Sequence, residues 1–183
     1  MKKRILISQI VALVVIILAK PASWTLFAAG MGIMLLGQMI RVLASAAIVK
    51  SRTLTVTGPY AAVRNPLYLG TAFMVLGLLT ALSNPQTPLR TVLVWLVTAV
   101  SFTLIYRVQI KAEEEFLLGE YGVQFSDYMK RVNAILPRLG AIPEFFDRSA
   151  YSMQVFLKNK EWRGCTGMIA VAAIIWARIH YGF

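Results

Sequence analysis

Residues 58–70 read Gly-Pro-Tyr-Ala-Ala-Val-Arg-Asn-Pro-Leu-Tyr-Leu-Gly, and they interrupt a chain that is otherwise built largely of apolar runs. Residues 5–19 and 24–49 precede the stretch, and residues 67–83, 89–106 and 164–181 follow it. Apolar runs of this length, separated by Pro- and Asn-containing turns, read as membrane helices. The quoted stretch is then a polar break between two spans, carrying an arginine, an asparagine, two prolines and two tyrosines. Composition agrees with that reading. Of 183 residues, 58% are hydrophobic and 15% charged, whereas about a quarter of a soluble domain is charged. The expectation is an all-α, multi-pass membrane helix bundle with about five transmembrane helices and additional cytoplasmic interfacial helices.

The net charge of +11 does not mark a nucleic-acid binder. All eight acids lie at or beyond Glu113, so the first 112 residues hold eleven Lys/Arg and no acid. These bases stand singly at the ends of apolar runs, which is the pattern of loop charge in a membrane protein. With the N-terminus inside, the cytoplasmic segments collect fifteen Lys/Arg, the outside holds only Lys20, Arg90 and Arg178, and Arg41 lies in the membrane. The opposite orientation would invert that bias. An integral protein of a bacterial inner membrane, with its N-terminus and functional loops cytoplasmic, is expected. Lys2-Lys3-Arg4 and the apolar run after it look like a secretion signal. Residues 20–23 offer no small-x-small cleavage site, so a retained first helix is expected.

Cys165 and His180 are each the single residue of their type. An internal disulfide and a thiolate metal cluster are therefore excluded, and mechanisms built on a Cys/His or Ser/His pair or on a multi-histidine site are disfavoured. No metal site is expected. Between residues 113 and 132, Leu117, Tyr121, Phe125, Tyr128 and Val132 recur at helical spacing among charges. Gly119 and Gly122 interrupt them, predicting one or two amphipathic helices at the membrane surface. Residues 144–163 mix aromatics with charge and are also expected at the interface. The single domain divides into a transmembrane hairpin over 1–49, a core over 54–137, and an interfacial segment with a fifth helix over 138–183.

Three polar groups stand out: Arg64-Asn65-Pro66-x-Tyr68, the run Glu113-Glu114-Glu115, and Gln38 with Arg41. Pro66 also suits the first turn of a helix, and carboxylates suit a helix start. Gln38, Arg41 and Ser45 share one helix face, and an ionisable residue within a span usually faces a bundle interior or a cavity.

Taken in order, Gly-Pro-Tyr-x-x-Val-Arg-Asn-Pro-x-Tyr-x-Gly and then Glu-Glu-x-x-Leu-x-x-x-Tyr-Gly-x-x-Phe-x-x-Tyr-x-x-x-Val resemble the isoprenylcysteine carboxyl methyltransferase family. The related phospholipid N-methyltransferases share these features, and the resemblance covers residues 54–137. It implies S-adenosylmethionine as cofactor, held by Tyr60, Arg64, Asn65, Pro66, Tyr68, Gly70, Glu113 and Glu114. Asn65 stands where family members commonly have histidine, and it cannot titrate. The resemblance further implies Glu114 and Arg131 as catalytic groups and Tyr128 and Arg131 as substrate contacts. Arg41 is a further catalytic candidate, and with Gln38 it forms a polar wall expected to contact the substrate, both read from the sequence itself.

In-line methyl transfer to a carboxylate needs alignment and water exclusion rather than a general base. The implied function is methylation of a lipophilic acceptor drawn from the bilayer, a carboxylate of the isoprenylcysteine type or else a phospholipid amine. A resemblance in architecture to NADPH-dependent sterol reductases is a minor option. The alternative of another class is a small membrane transporter or a non-enzymatic scaffold.

Overall fold

The computed structural model describes residues 13–49 and 53–182. Lys2-Lys3-Arg4 and the beginning of the first expected span lie outside the described residues. A helical segment over residues 13–18 (α1) leads through Pro21 to α2, Trp24–Ala47, whose start is capped where the Ser23 hydroxyl accepts from Leu26 N. A short helix α3, Pro59–Ala62, lies in the polar break, and α4, Pro66–Leu82, follows with its proline in the first turn. That position wastes no hydrogen bond, because the first N–H groups of a helix have no internal partner.

The long helix α5 runs Pro88–Tyr121 and α6 runs Val123–Arg131. Two 3₁₀ segments, Leu139–Phe146 and Arg148–Ala150, precede α7, Met153–Asn159, and α8, Trp162–Tyr181. The architecture is an all-α membrane helix bundle. Among the described residues, α2, α5 and α8 are long and apolar enough to cross a membrane, and α4 is a shorter apolar helix.

One expectation needs revision. The fourth span and the first surface helix are not separate: α5 continues without a break for 34 residues, about 51 Å at the helical rise. A hydrocarbon core of ~30 Å leaves about 20 Å of that length outside it. Hydropathy falls after Tyr106, but the residues from Arg107 to Glu120 are mostly good helix formers and include no proline. Gly119 sits inside the helix. Gly122 ends it with φ +51°, a left-handed value that glycine adopts without strain.

The central contact is α2 against α4, antiparallel, through glycines spaced seven apart on both helices. Gly37 faces Gly70, and Gly30 faces Gly77. A Cβ placed on Gly37 would fall 2.5 Å from Gly70 O, and one on Gly77 would fall 2.5 Å from Gly30 O. Backbones this close maximise dispersion contact where lipid removes the hydrophobic drive for association. Around one end of this pair, Val15, Ile16, Leu79, Leu82 and Ile175 form a buried cluster. At the other end, Ala44, Ala47 and Tyr60 pack together, and Phe125, Tyr128 and Val132 bury the apolar face of α6.

Candidate functional site

The polar break is held in shape by backbone pairing with the segment that follows α6. Arg64 N donates to Asn133 O (2.9 Å), Asn65 N to Ala134 O (3.1 Å), and Arg138 N to Ala62 O (2.8 Å). Gly58 begins the turn at φ +58°. From this frame Arg64 reaches α5, with Nε and Nη2 donating to Glu114 Oε1 at 3.1 and 2.8 Å. Its Nη1 donates to the carbonyls of Met129 and Val132, each at 2.9 Å. Tyr68 donates its hydroxyl to Glu113 Oε1 (2.5 Å), and Gln109 donates to the same oxygen (2.5 Å). The Asn65 amide donates to Ala134 O (3.1 Å), and the buried Tyr128 hydroxyl donates to Tyr60 O (2.6 Å).

Arg64, Asn65, Tyr68, Glu113, Glu114 and Tyr128 are therefore brought together, largely as one another's partners. They join the polar break, the C-terminal length of α5, and the segment after α6. Burial pushes the Tyr128 hydroxyl above the usual tyrosine range, against the lowering influence of Arg64.

A second cluster lies between the spans. Arg41 Nε and Nη2 donate to the two carboxylate oxygens of Glu161 at 2.7 and 3.1 Å, a bidentate pair. Its Nη1 donates to Thr71 Oγ1 (2.5 Å) and Leu67 O (3.2 Å). One guanidinium thus ties α2 to α4 and to the start of α8. Buried Gln38, one turn away, donates to Cys165 Sγ (3.3 Å), while its Oε1 has no partner among the described residues.

Tyr60 sits between the two clusters. Its buried hydroxyl also lacks a hydrogen-bond partner among the described residues, and it feels the charges of Glu113, Arg41 and Glu161. Beside the second cluster a cavity of about 430 Å³ opens among α2, α4, α5 and α8. Arg41, Thr71 and Tyr106 give it a polar rim, and Met34, Met74 and Met168 contribute to its apolar wall.

Two expected residues are placed elsewhere. Arg131 is exposed, and among the described residues its Nε donates to Asp127 O within its own helix (3.3 Å). Gly70 is used in the helix contact, where an added Cβ would meet Arg41 Cγ at 2.6 Å. Pro66 is buried at the start of α4. Glu161 was missed by sequence reading. Its available signal was an acid standing alone at the head of the last apolar run, in a bundle already holding an intramembrane arginine.

No family model matches the chain, and no solved structure matches it. Two curated proteins do. One is the cobalt-zinc-cadmium resistance protein CzcN of Cupriavidus metallidurans, 34% identical over 90 residues, covering 49% of this chain and 38% of that protein. The other is the nickel-cobalt-cadmium resistance protein NccN of Alcaligenes xylosoxydans xylosoxydans, 34% identical over 106 residues, covering 58% of this chain and 45% of that protein. The chain thus matches less than half the length of either relative.

These matches overturn the methyltransferase expectation. Both relatives are named for metal resistance and neither for methyl transfer, so the resemblance to isoprenylcysteine carboxyl methyltransferases does not hold as an assignment of activity. The phospholipid N-methyltransferase option falls with it, and the alternative of another class, a small membrane transporter or a non-enzymatic scaffold, is the better supported. The physical reason is visible in the first cluster. Residue types that suit a charged cofactor also suit one another, and here Arg64 is satisfied by Glu114 and two carbonyls.

Proposed function

We propose that this chain is a non-enzymatic membrane component of bacterial resistance to divalent metals of the cobalt, nickel, zinc and cadmium group. The observation that carries this reading is that both relatives are named as resistance proteins for metals of this set. The side chains favour an accessory role over carriage of the ion. Among the described residues, no three His, Cys, Asp or Glu side chains converge on a metal position. The acids at the two clusters are engaged by Arg41, Arg64, Tyr68 and Gln109. The fifteen-to-three distribution of Lys/Arg supports a cytoplasmic N-terminus and a cytoplasmic Arg64–Glu114 cluster in the inner membrane. The cavity beside Arg41 would take an apolar chain from the bilayer, making a lipophilic small molecule or lipid its partner.

Deletion of the coding sequence from its host, scored by growth over graded cadmium, zinc, cobalt and nickel, tests the proposal. The expected result is a lower tolerated concentration, restored by the wild-type chain. Unchanged tolerance overturns it, provided the chain is shown to reach the membrane in the parent strain. Metal uptake by proteoliposomes containing this chain alone would replace the accessory role with that of a transporter.

A further inference from the structure

The cavity beside Arg41 has a polar end and an apolar end. Three helices line it over the same interval of seven residues: α2 from Arg41 to Met34, α4 from Thr71 to Leu78, and α8 from Gly164 to Val171. Seven residues of helix span about 10 Å. The three intervals run in the same direction. Arg41 bonds Thr71 on α4 and Glu161 at the head of α8, and the antiparallel α2–α4 contact carries Met34 toward Gly77. Polar groups therefore gather at one end, and Met34, Leu78 and Val171 lie at the other.

Glycines on α8 leave the space clear. A Cβ added to Gly167 would meet nothing within 4 Å. Among the described elements α5 packs on α4 and α8 packs on α2, while α5 and α8 share little contact. Tyr106 is the α5 residue in the wall, so the cavity meets the bilayer between these two helices.

Charge at the polar end is balanced. Arg41 and Glu161 neutralise each other in their bidentate pair, with side chains 24% and 11% exposed. Arg41 Nη1 is taken by Thr71 and Leu67 O, and Thr71 Oγ1 in turn donates to Leu67 O. Nη2 makes one bond, to Glu161, which leaves its second N–H without a partner among the described residues. An anionic head placed here would lie beside Glu161 and a cationic head beside Arg41, and either would leave water without a counter-charge of its own. An uncharged oxygen accepts the remaining N–H and loses far less hydration.

We propose that this cavity takes a neutral single-chain amphiphile, an alcohol or ester whose oxygen sits at Arg41 and Thr71 and whose chain runs toward Met34, Leu78 and Val171. The proposal rests on a lipophilic partner for this cavity and gives that partner its headgroup chemistry.

The test uses the full chain in phosphatidylcholine nanodiscs with three diazirine-bearing probes of equal chain length: a long-chain alcohol, the matching alkyl sulfate and the matching alkyl trimethylammonium. After photolysis, mass spectrometry reads labelling of the peptides holding Met34, Leu78 and Val171, relative to Leu93 and Leu96, which are exposed on α5 and report probe in the surrounding lipid. Wild type is expected to favour the alcohol by about tenfold, a modest share of the cost of burying an uncompensated charge. Gly167→Leu fills the open space and should bring cavity labelling down to the lipid-facing level at an unchanged melting temperature, whereas Gly167→Ala should keep it. Glu161→Gln leaves Arg41 without its counter-charge and should move the preference to the alkyl sulfate. Equal labelling by the three heads in wild type, or an unchanged preference in Glu161→Gln, overturns the headgroup assignment. Labelling that Gly167→Leu leaves intact in a folded protein overturns the cavity as its source. No cavity labelling by any probe overturns the lipophilic partner itself, and metal tolerance of the deletion strain is read separately from all of these.

Discussion

If Arg64 and Glu114 are partners, removing either should destabilise the half of the protein around the polar break, and removing both should cost less than the sum. Arg64 and Glu114 are 11% and 18% exposed at the side chain, so solvent screens the pair only weakly. Arg64→Ala deletes two bonds to Glu114 and leaves the carbonyls of Met129 and Val132 without their donor. Hydrogen bonds to a charged group contribute about 1.5–3 kcal/mol each, and breaking a buried pair from one side costs about 3–5 kcal/mol. A loss of about 3–4 kcal/mol is expected for Arg64→Ala. Glu114→Gln keeps an acceptor oxygen and leaves Arg64 its two carbonyls, so about 1.5–2 kcal/mol is expected. The coupling in the double variant should be about 1–1.5 kcal/mol, within the range for residues in direct contact.

The assay is reversible denaturation of the detergent-solubilised protein, with amide exchange read at residues 64, 65 and 138, whose N–H groups cross the joint. Both single variants should lose protection there before the α2–α4 pair opens. Additivity within about 0.5 kcal/mol refutes the joint. A variant more stable than wild type refutes it more strongly, because groups held apart for a ligand often gain stability when neutralised.

Other perturbations separate packing from polarity. Gly37→Val and Gly70→Val should lower the melting temperature sharply, by about 3 kcal/mol or more of overpacking at a backbone contact. Gly32→Ala on the same helix meets nothing within 4 Å and should be neutral or slightly stabilising. Glu161→Ala should free the start of α8 and speed maleimide labelling of Cys165, the single cysteine, while an unchanged labelling rate would show that Arg41 does not hold that helix. Burial first, then Tyr128 and Glu113, raises the Tyr60 hydroxyl above its ordinary range, and burial raises that of Tyr128. Both groups are neutral when protonated and ionise more easily unfolded. The stability linked to them is therefore complete below about pH 10 and falls as pH climbs beyond it. Thermal melts between pH 8 and 11 should show that decline, and Tyr60→Phe should make it shallower.

The helices were legible because lipid demands long apolar runs, and the polar break was legible because it violates them. Phe125, Tyr128 and Val132 were on the page as a helical stripe, and they are the buried face of α6. The extent of α5 was not, since hydropathy reports where a helix leaves lipid and says nothing about where it ends. Tyr106 answers the first question and Gly122 the second. The glycine contact was present in the sequence as two seven-residue spacings, but it gains meaning only when α2 is laid antiparallel on α4. Arg41 and Glu161 lie 120 residues apart, and no local pattern links them.

The Arg64 cluster shows a deeper limit. A guanidinium, an amide, a phenol and two carboxylates form a set that can clasp a charged ligand or clasp one another. The order of residues along the chain is the same in both cases. Here Glu114 lies 2.8 Å from Arg64, so the two are one another's partners. Pattern alone therefore suggested a catalytic reading, and the two relatives named for metal resistance overturn the methyltransferase assignment. The stability change of the single variants is the quantity on which those readings differ in sign: a loss for partners, a gain for groups held apart for a ligand.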